Sequence, residues 1–194
     1  MYTLFLYSIF MRQPIYYCYY PSPVGNLLLL AQDDGLIYIE FELEQRSTST
    51  QHFIQANDTS GEIWDIFCKT IKVLDRYFSG ELIDFIQLDF LKPIGTPFQQ
   101  SVWQKLLEIP YGQTTTYGEI AQSLGKPNAM RAVGGAVGRN PISILIPCHR
   151  VLGRDKTLTG FGGGLPNKRF LLNLEGIQYK DKGIEFVNPK CKKF

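Results

Sequence analysis

The stretch Leu91-Lys92-Pro93-Ile94-Gly95-Thr96-Pro97 constrains this chain most, because neither a helix nor a central strand can run through it. Proline lacks a backbone donor, fixes its own φ and pushes the preceding residue out of helical space, and Gly95 adds a further break. The elements on either side must therefore form separately. Before it, two β-prone runs at 26–31 and 36–41 are joined by Asp33-Asp34-Gly35, the signal of a hairpin. With a first strand at 14–20 they make an antiparallel meander. Residues 61–78 place Ile63, Ile66, Phe67, Ile71, Leu74 and Phe78 at helical spacing, and Ser79-Gly80 suits a helix stop. Residues 82–90 are extended or turn-rich.

After the break the pattern turns helical. Pro97 fits the first turn of a helix over 97–108 behind a Thr96 cap, with Phe98, Val102, Leu106 and Ile109 on one face. A short helix over 117–124 points Ile120, Ala121 and Leu124 inward. Gly125-Lys126-Pro127 breaks it, and Asn128 is the expected cap of another helix running to about Gly138. Two short helices around a glycine-containing turn form a helix-turn-helix candidate. Ala132, Gly134, Gly135, Ala136 and Gly138 give the second helix a small surface, at a cost of about 1 kcal/mol per interior glycine, so something must approach its backbone closely. The fold class is α+β. At 194 residues the chain divides into an N-terminal domain over 1–93, a C-terminal domain over 94–180 and a basic tail over 181–194.

One cysteine, Cys148, adjoins one of only two histidines. Only a thiolate attacks, and a free thiol titrates near ~8.5, so a neighbouring base such as His149 reads as activation, directly or through a water. The pair reads equally as the end of a buried strand after the apolar run 142–146, since free cysteine is among the most buried residue types. Pro147 stiffens the approach. The four cysteines, Cys18, Cys68, Cys148 and Cys191, show no zinc spacing, so no metal is expected, and an unpaired nucleophilic thiol implies a reducing compartment. Residues 1–10 are apolar but too short to cross a bilayer, and read equally as an extra N-terminal strand or as a stretch ahead of an alternative start at Met11. A net charge of +2 is too small to identify a nucleic-acid binder, so any such contact must come from a local patch.

Residues Asn140-Pro141-Ile142-Ser143-Ile144-Leu145-Ile146-Pro147-Cys148-His149-Arg150-Val151 resemble the active-site segment of the O6-alkylguanine-DNA alkyltransferases, also called methylated-DNA–protein-cysteine methyltransferases. The blocks Thr96-Pro97-Phe98-Gln99-Gln100-Ser101-Val102-Trp103, Ile109-Pro110-Tyr111-Gly112, Thr116-Tyr117-Gly118-Glu119-Ile120-Ala121, Arg131-Ala132-Val133-Gly134-Gly135-Ala136, Gly163-Gly164-Leu165 and Leu171-Leu172-Asn173-Leu174-Glu175-Gly176 fit the same family in the same order. The resemblance implies a β-rich ribonuclease H-like N-terminal domain and a helical, winged-helix-like DNA-binding C-terminal domain.

It further implies irreversible transfer of an alkyl group from O6-methylguanine, and from O4-methylthymine, in double-stranded DNA to Cys148. His149 would be the base, Glu175 would orient it, and Tyr117 would donate toward the leaving guanine. Asn140 would bridge the recognition helix to an active-site strand. The helix carrying Ala132, Gly134 and Gly135 would enter the minor groove beside Thr116 and Tyr117, and Arg131 would replace the extruded base. Val151, Phe161, Gly162, Ser143 and Lys168 would line or steady the pocket. Phe161 and Gly162 stand where several relatives have a tyrosine and a serine, and Ser143 where vertebrate members have a proline, which leaves acceptance of bulky groups such as benzyl open and makes methyl the expected group. Apart from the resemblance, Glu175 reads as a surface carboxylate and Lys168 as a solvated lysine. The family implies no cofactor, no membrane, a monomer with cooperative assembly on DNA left open, and a cytoplasmic protein, or a nuclear one in a eukaryote. Two rivals are a lesion-recognition module, which would lack the cysteine, and a cysteine hydrolase, which would need an oxyanion hole.

Overall fold

The computed structural model describes residues 13–33, 35–42, 48–57 and 61–181. The alternative start at Met11, the segment 1–10, and the tail beyond Asp181 with Cys191 lie outside the described residues.

Strands β1 (Tyr16–Ser22), β2 (Gly25–Gln32) and β3 (Gly35–Phe41) form the expected antiparallel meander, with the first strand two residues later than its pattern predicted. A short fourth strand, β4 (Ile54–Gln55), pairs parallel with β1, so the sheet is mixed, in the order β3-β2-β1-β4. Leu27, Leu29 and Ala31 of β2 face the main core, and Leu28 and Leu30 join Ile15 and Ile37 in a second cluster. Both faces of that strand are therefore covered, which explains its uninterrupted apolar run.

Helix α1 (Glu62–Phe78) packs across β1, β2 and β3. Its buried side chains are Ile66, Phe67, Thr70, Leu74 and Tyr77. The apolar periodicity picked out Ile66, Phe67 and Leu74 but passed over Tyr77, which is fully buried.

The outer edge of β3 is covered by two segments of irregular chain. Leu36 N donates to Phe90 O at 2.8 Å and Lys92 N to Leu36 O at 2.8 Å, while Ile39 N donates to Pro141 O at 2.9 Å and Ser143 N to Ile39 O at 3.3 Å. An open sheet edge is thereby closed. Gly35 serves this approach, for a Cβ there would lie 2.0 Å from Lys92 Cγ. The second contact carries the segment leading to Cys148 onto the N-terminal sheet.

Helix α2 (Pro97–Leu107) begins with a complete capping box between Thr96 and Gln99, and α3 (Tyr117–Ser123) with one between Thr116 and Glu119. Helix α4 (Met130–Val137) does not start at an Asn128 cap. Pro127 instead opens a tight 3₁₀ turn, Pro127–Ala129, which leads into α4 without a side-chain cap, because proline's fixed φ already suits a first turn. Val133, Ala136 and Val137 of α4 are buried, and Trp103 Nε1 donates to Ala136 O at 2.9 Å, tying α4 to α2. Strands β5 (Thr115–Thr116) and β6 (Val151–Leu152) pair in parallel, and α5 (Leu165–Leu174) is the last helix among the described residues. One continuous core cluster includes Leu27 and Phe67 from the first half with Trp103, Val133 and Ile146 from the second.

Candidate active site

Cys148 does not sit on a strand, as its apolar approach implied. Two tight turns present it. Leu145 N donates to Ser143 O at 2.9 Å around Ile144, whose φ of 74° is strained for a β-branched residue. Cys148 N then donates to Ile146 O at 2.7 Å around Pro147, at φ −79° and ψ 62°. The strain at Ile144 persists because Ile142, Ile144, Leu145 and Ile146 are fully buried and their segment is fixed to β3. A 3₁₀ turn, Cys148–Arg150, follows, and all three of its side chains are buried.

Asn140 braces both turns. Its Nδ2 donates to Ile146 O at 2.7 Å and to Cys148 Sγ at 3.0 Å, and its Oδ1 accepts from Ile142 N at 3.1 Å. Burial pushes the Cys148 thiol above its ordinary range, while the Asn140 donor and the Lys168 cation pull the other way. The resting group is a thiol poised beside two features that favour its anion.

Behind it lies a buried polar cluster. His149 Nε2 and Glu175 Oε1 are 2.7 Å apart. Glu175 Oε1 also accepts from Tyr77 OH at 2.8 Å and Arg150 Nη2 at 3.0 Å, and Oε2 accepts from Arg150 Nε at 2.8 Å and Gly112 N at 3.2 Å. Burial works to raise the carboxyl's pKa, but His149 and Arg150 outweigh it and hold the group at about 2. Facing an ionised acceptor, His149 must carry its proton on Nε2, which leaves the Nδ1 lone pair free. Nδ1 is buried and makes no hydrogen bond among the described residues. Burial also lowers the pKa of the imidazole, as do Arg150 and Lys168, against the pull of Glu175. The ring is therefore neutral at rest and able to accept a proton at Nδ1.

Three residues from the Ile109-Pro110-Tyr111-Gly112 block close this cluster. Arg150 Nη1 donates to Ile109 O at 2.6 Å, Tyr111 OH donates to Leu174 O at 3.0 Å, and Gly112 reaches Glu175 with φ 75°. Arg150 lies over the Phe85 and Tyr111 rings at 5.1 and 5.8 Å.

Lys168 is not a solvated lysine. It is 1% exposed, and its Nζ donates to Val151 O at 2.8 Å and to Thr159 O at 3.3 Å. Burial lowers its pKa to about 8, opposed by Cys148. Tyr117 OH lies 3.0 Å from Thr159 Oγ1, so a polar chain runs from Lys168 through Thr159 to the phenol, whose pKa burial raises. Nor is Glu175 a surface carboxylate; it is 5% exposed.

The remaining predicted residues lie around this centre. Gly134 faces the Tyr117 ring, where an added Cβ would sit 3.8 Å away in ordinary van der Waals contact. Arg131 and Ala132 are exposed, and a Cβ on Gly135 would meet Arg139 Nη1 at 3.0 Å. The Thr116 hydroxyl is engaged in the α3 cap. Phe161 packs edge-on against Phe41 of β3 at 5.5 Å, Gly162 is exposed, and Gly163 is pressed so close to Phe41 that a Cβ would lie 2.4 Å from its ring. The backbone of Ser143 is taken up by β3 and the turn at Ile144. Tyr77, Arg150, Tyr111, Gly112 and Thr159 are the site residues that sequence reasoning did not assign. For Arg150 a signal existed: an arginine inside an apolar, buried stretch must find a partner.

The fold and site define a two-part protein with a braced, buried thiol in front of an imidazole–carboxylate pair. Residues 15–90 match the family model described as 6-O-methylguanine DNA methyltransferase, ribonuclease-like domain, and residues 97–177 match 6-O-methylguanine DNA methyltransferase, DNA binding domain. The chain is 52% identical over 176 residues to a methylated-DNA–protein-cysteine methyltransferase of Haemophilus influenzae, covering 91% of this chain and 94% of that one. A protein of the same name from Methanosarcina acetivorans is 46% identical, over 84% of this chain and 99% of its own. Among solved structures, Mycobacterium tuberculosis OGT in complex with DNA is similar at a TM-score of 0.72 and 42% identity, covering 83% of this chain and 93% of that one. The chain belongs to the 6-O-methylguanine DNA methyltransferase family.

Proposed function

We propose that this chain repairs DNA directly, by moving the alkyl group of O6-methylguanine onto Cys148 in a single, irreversible turnover. The observation that carries the reading is one buried turn that joins Cys148, whose Sγ is held by Asn140, to the next residue's imidazole, whose Nε2 is fixed by Glu175 and whose Nδ1 is unpartnered among the described residues. In the reaction His149 Nδ1 takes the thiol proton through a water. The thiolate forms a bond to the alkyl carbon, and the carbon–O6 bond breaks with its electron pair leaving on guanine. Tyr117 gives its phenolic proton to N3 of the departing base, offsetting the developing charge. Proton exchange then restores imidazole and phenol, so the net change moves the thiol proton to guanine and the alkyl group to sulfur. A thioether has no leaving group comparable to a guanine, which is why the turnover is single.

The substrate is double-stranded DNA, entered through the minor groove by α4, with Arg131 filling the space of the flipped base. O4-methylthymine presents the same alkyl–oxygen linkage. Lys168 holds Val151 and Thr159 where the guanine edge would lie, beneath a lid formed by Phe161 and Gly162. The protein acts as a monomer in the cytoplasm and needs no cofactor. The test is stoichiometry: lesion loss from a duplex carrying one O6-methylguanine should stop at one equivalent per protein. Continued turnover would indicate a hydrolase, and binding without lesion loss a recognition module.

A further inference from the structure

Tyr77 belongs to the last turn of α1, in the ribonuclease-like half, yet it is fully buried and its hydroxyl lies inside the cluster behind Cys148. It donates to Glu175 Oε1 at 2.8 Å across a separation of 98 residues, and its oxygen is 3.4 Å from His149 Nε2. The ring is wedged among Phe78, Phe85, Tyr111 and His149, with centroid distances of 5.4–6.4 Å. The phenol cannot rotate away without losing these contacts.

We propose that Tyr77 is a positioning residue for alkyl transfer, supplied by the N-terminal half, which fixes Glu175 against His149 Nε2 and limits how basic that imidazole becomes. The inference rests on the transfer reading above. Glu175 Oε1 accepts from the imidazole, the phenol and the guanidinium together, so each donor reduces the negative charge the others meet. Without the phenol the carboxylate would attract the Nε2 proton more strongly, stabilising the imidazolium. Among the described residues, the other charged or titratable groups around His149 are Cys148 and Arg150 from its own turn, Lys168 from α5 and Tyr111 from the block before β5. Arg150 and Lys168 disfavour the imidazolium, and Glu175 favours it. Tyr77 thus adjusts a balance that decides whether Nδ1 is available as a base.

The test is the pH profile of single-turnover transfer from O6-methylguanine duplex, with the full chain, for wild type, Tyr77→Phe, and a protein carrying at position 77 a tyrosine fluorinated beside its hydroxyl. Tyr77→Phe should move the acid limb to higher pH and slow transfer at neutral pH about three- to tenfold, with duplex affinity unchanged. The fluorinated residue, a stronger donor of the same shape, should move the limb to lower pH, which keeps the proposal testable if the phenylalanine variant does not fold. His149 titration followed by NMR should shift in the same two directions. Identical limbs and titrations in all three proteins would overturn the role of Tyr77. A wild type that transfers nothing would overturn the transfer reading instead, and the His149 titration would still decide the part played by Tyr77.

Discussion

His149 Nε2 lies 2.7 Å from Glu175 Oε1 with both side chains wholly shielded from solvent, and the same carboxylate holds the buried guanidinium of Arg150. A single anion therefore both fixes an imidazole and neutralises a cation. Glu175→Gln removes that anion while keeping its shape. Breaking a buried pair in this way costs roughly 3–5 kcal/mol, so the melting temperature should fall by about 10 °C. Transfer should fall by at least about tenfold, because His149 loses the acceptor that fixes its tautomer. Thermal unfolding and single-turnover rates measure the two effects.

The same cluster sets an acid limit to stability. His149 has a folded pKa below its ordinary 6.5, so the unfolded chain binds that proton first and stability begins to fall below pH 6.5. Glu175 is held at about 2 against an ordinary 4.5, so its contribution is complete above pH 4.5 and is lost as the pH falls toward 2. A melting-temperature series in acid should show both phases. The Glu175→Gln variant should lack the second.

Much of the frame was legible in the sequence because it is coded locally. The hairpin of β2 and β3, the Thr96 cap and the periodicity of α1 are each specified within a few residues. Strand β4 was not legible, since two residues carry no period and their pairing with β1 is a tertiary event. Asn128 misled because Pro127 starts the turn first. At the site, adjacency exposed Cys148 and His149, and the resemblance supplied Glu175, Tyr117 and Asn140. Tyr77 was hidden because a tyrosine on an amphipathic helix looks like core, and Lys168, which the resemblance named, reads from its neighbours alone as surface, because a lone lysine near Arg169 looks solvated. Burial assigns them, and burial is a property of the assembled chain.

Lys168→Met removes the donor to Val151 O and Thr159 O and should cost about 1–3 kcal/mol through the two carbonyls left unpaired. It also removes a cation that favours the Cys148 thiolate. Modification of Cys148 by a small soluble alkylating reagent at fixed pH should therefore slow, and its pH profile should move upward. An unchanged profile would mean that Lys168 acts on the loop alone.

Arg131 is exposed on α4, so Arg131→Ala should leave stability within about 0.5 kcal/mol of wild type. If it fills the place of a flipped base, transfer from duplex DNA should slow on the order of tenfold or more, while alkylation of Cys148 by the free alkylated base should not change. Comparing the two substrates isolates extrusion from chemistry.

The most direct test of the central claim is the intact mass of the protein after incubation with duplex DNA carrying one O6-methylguanine, beside Cys148→Ala. Wild type should gain one methylene, mapped by peptide analysis to Cys148 and saturating at one per molecule, and the variant should gain nothing. A wild type that binds the lesion with its mass unchanged, or that carries the methyl group on another residue, would contradict it.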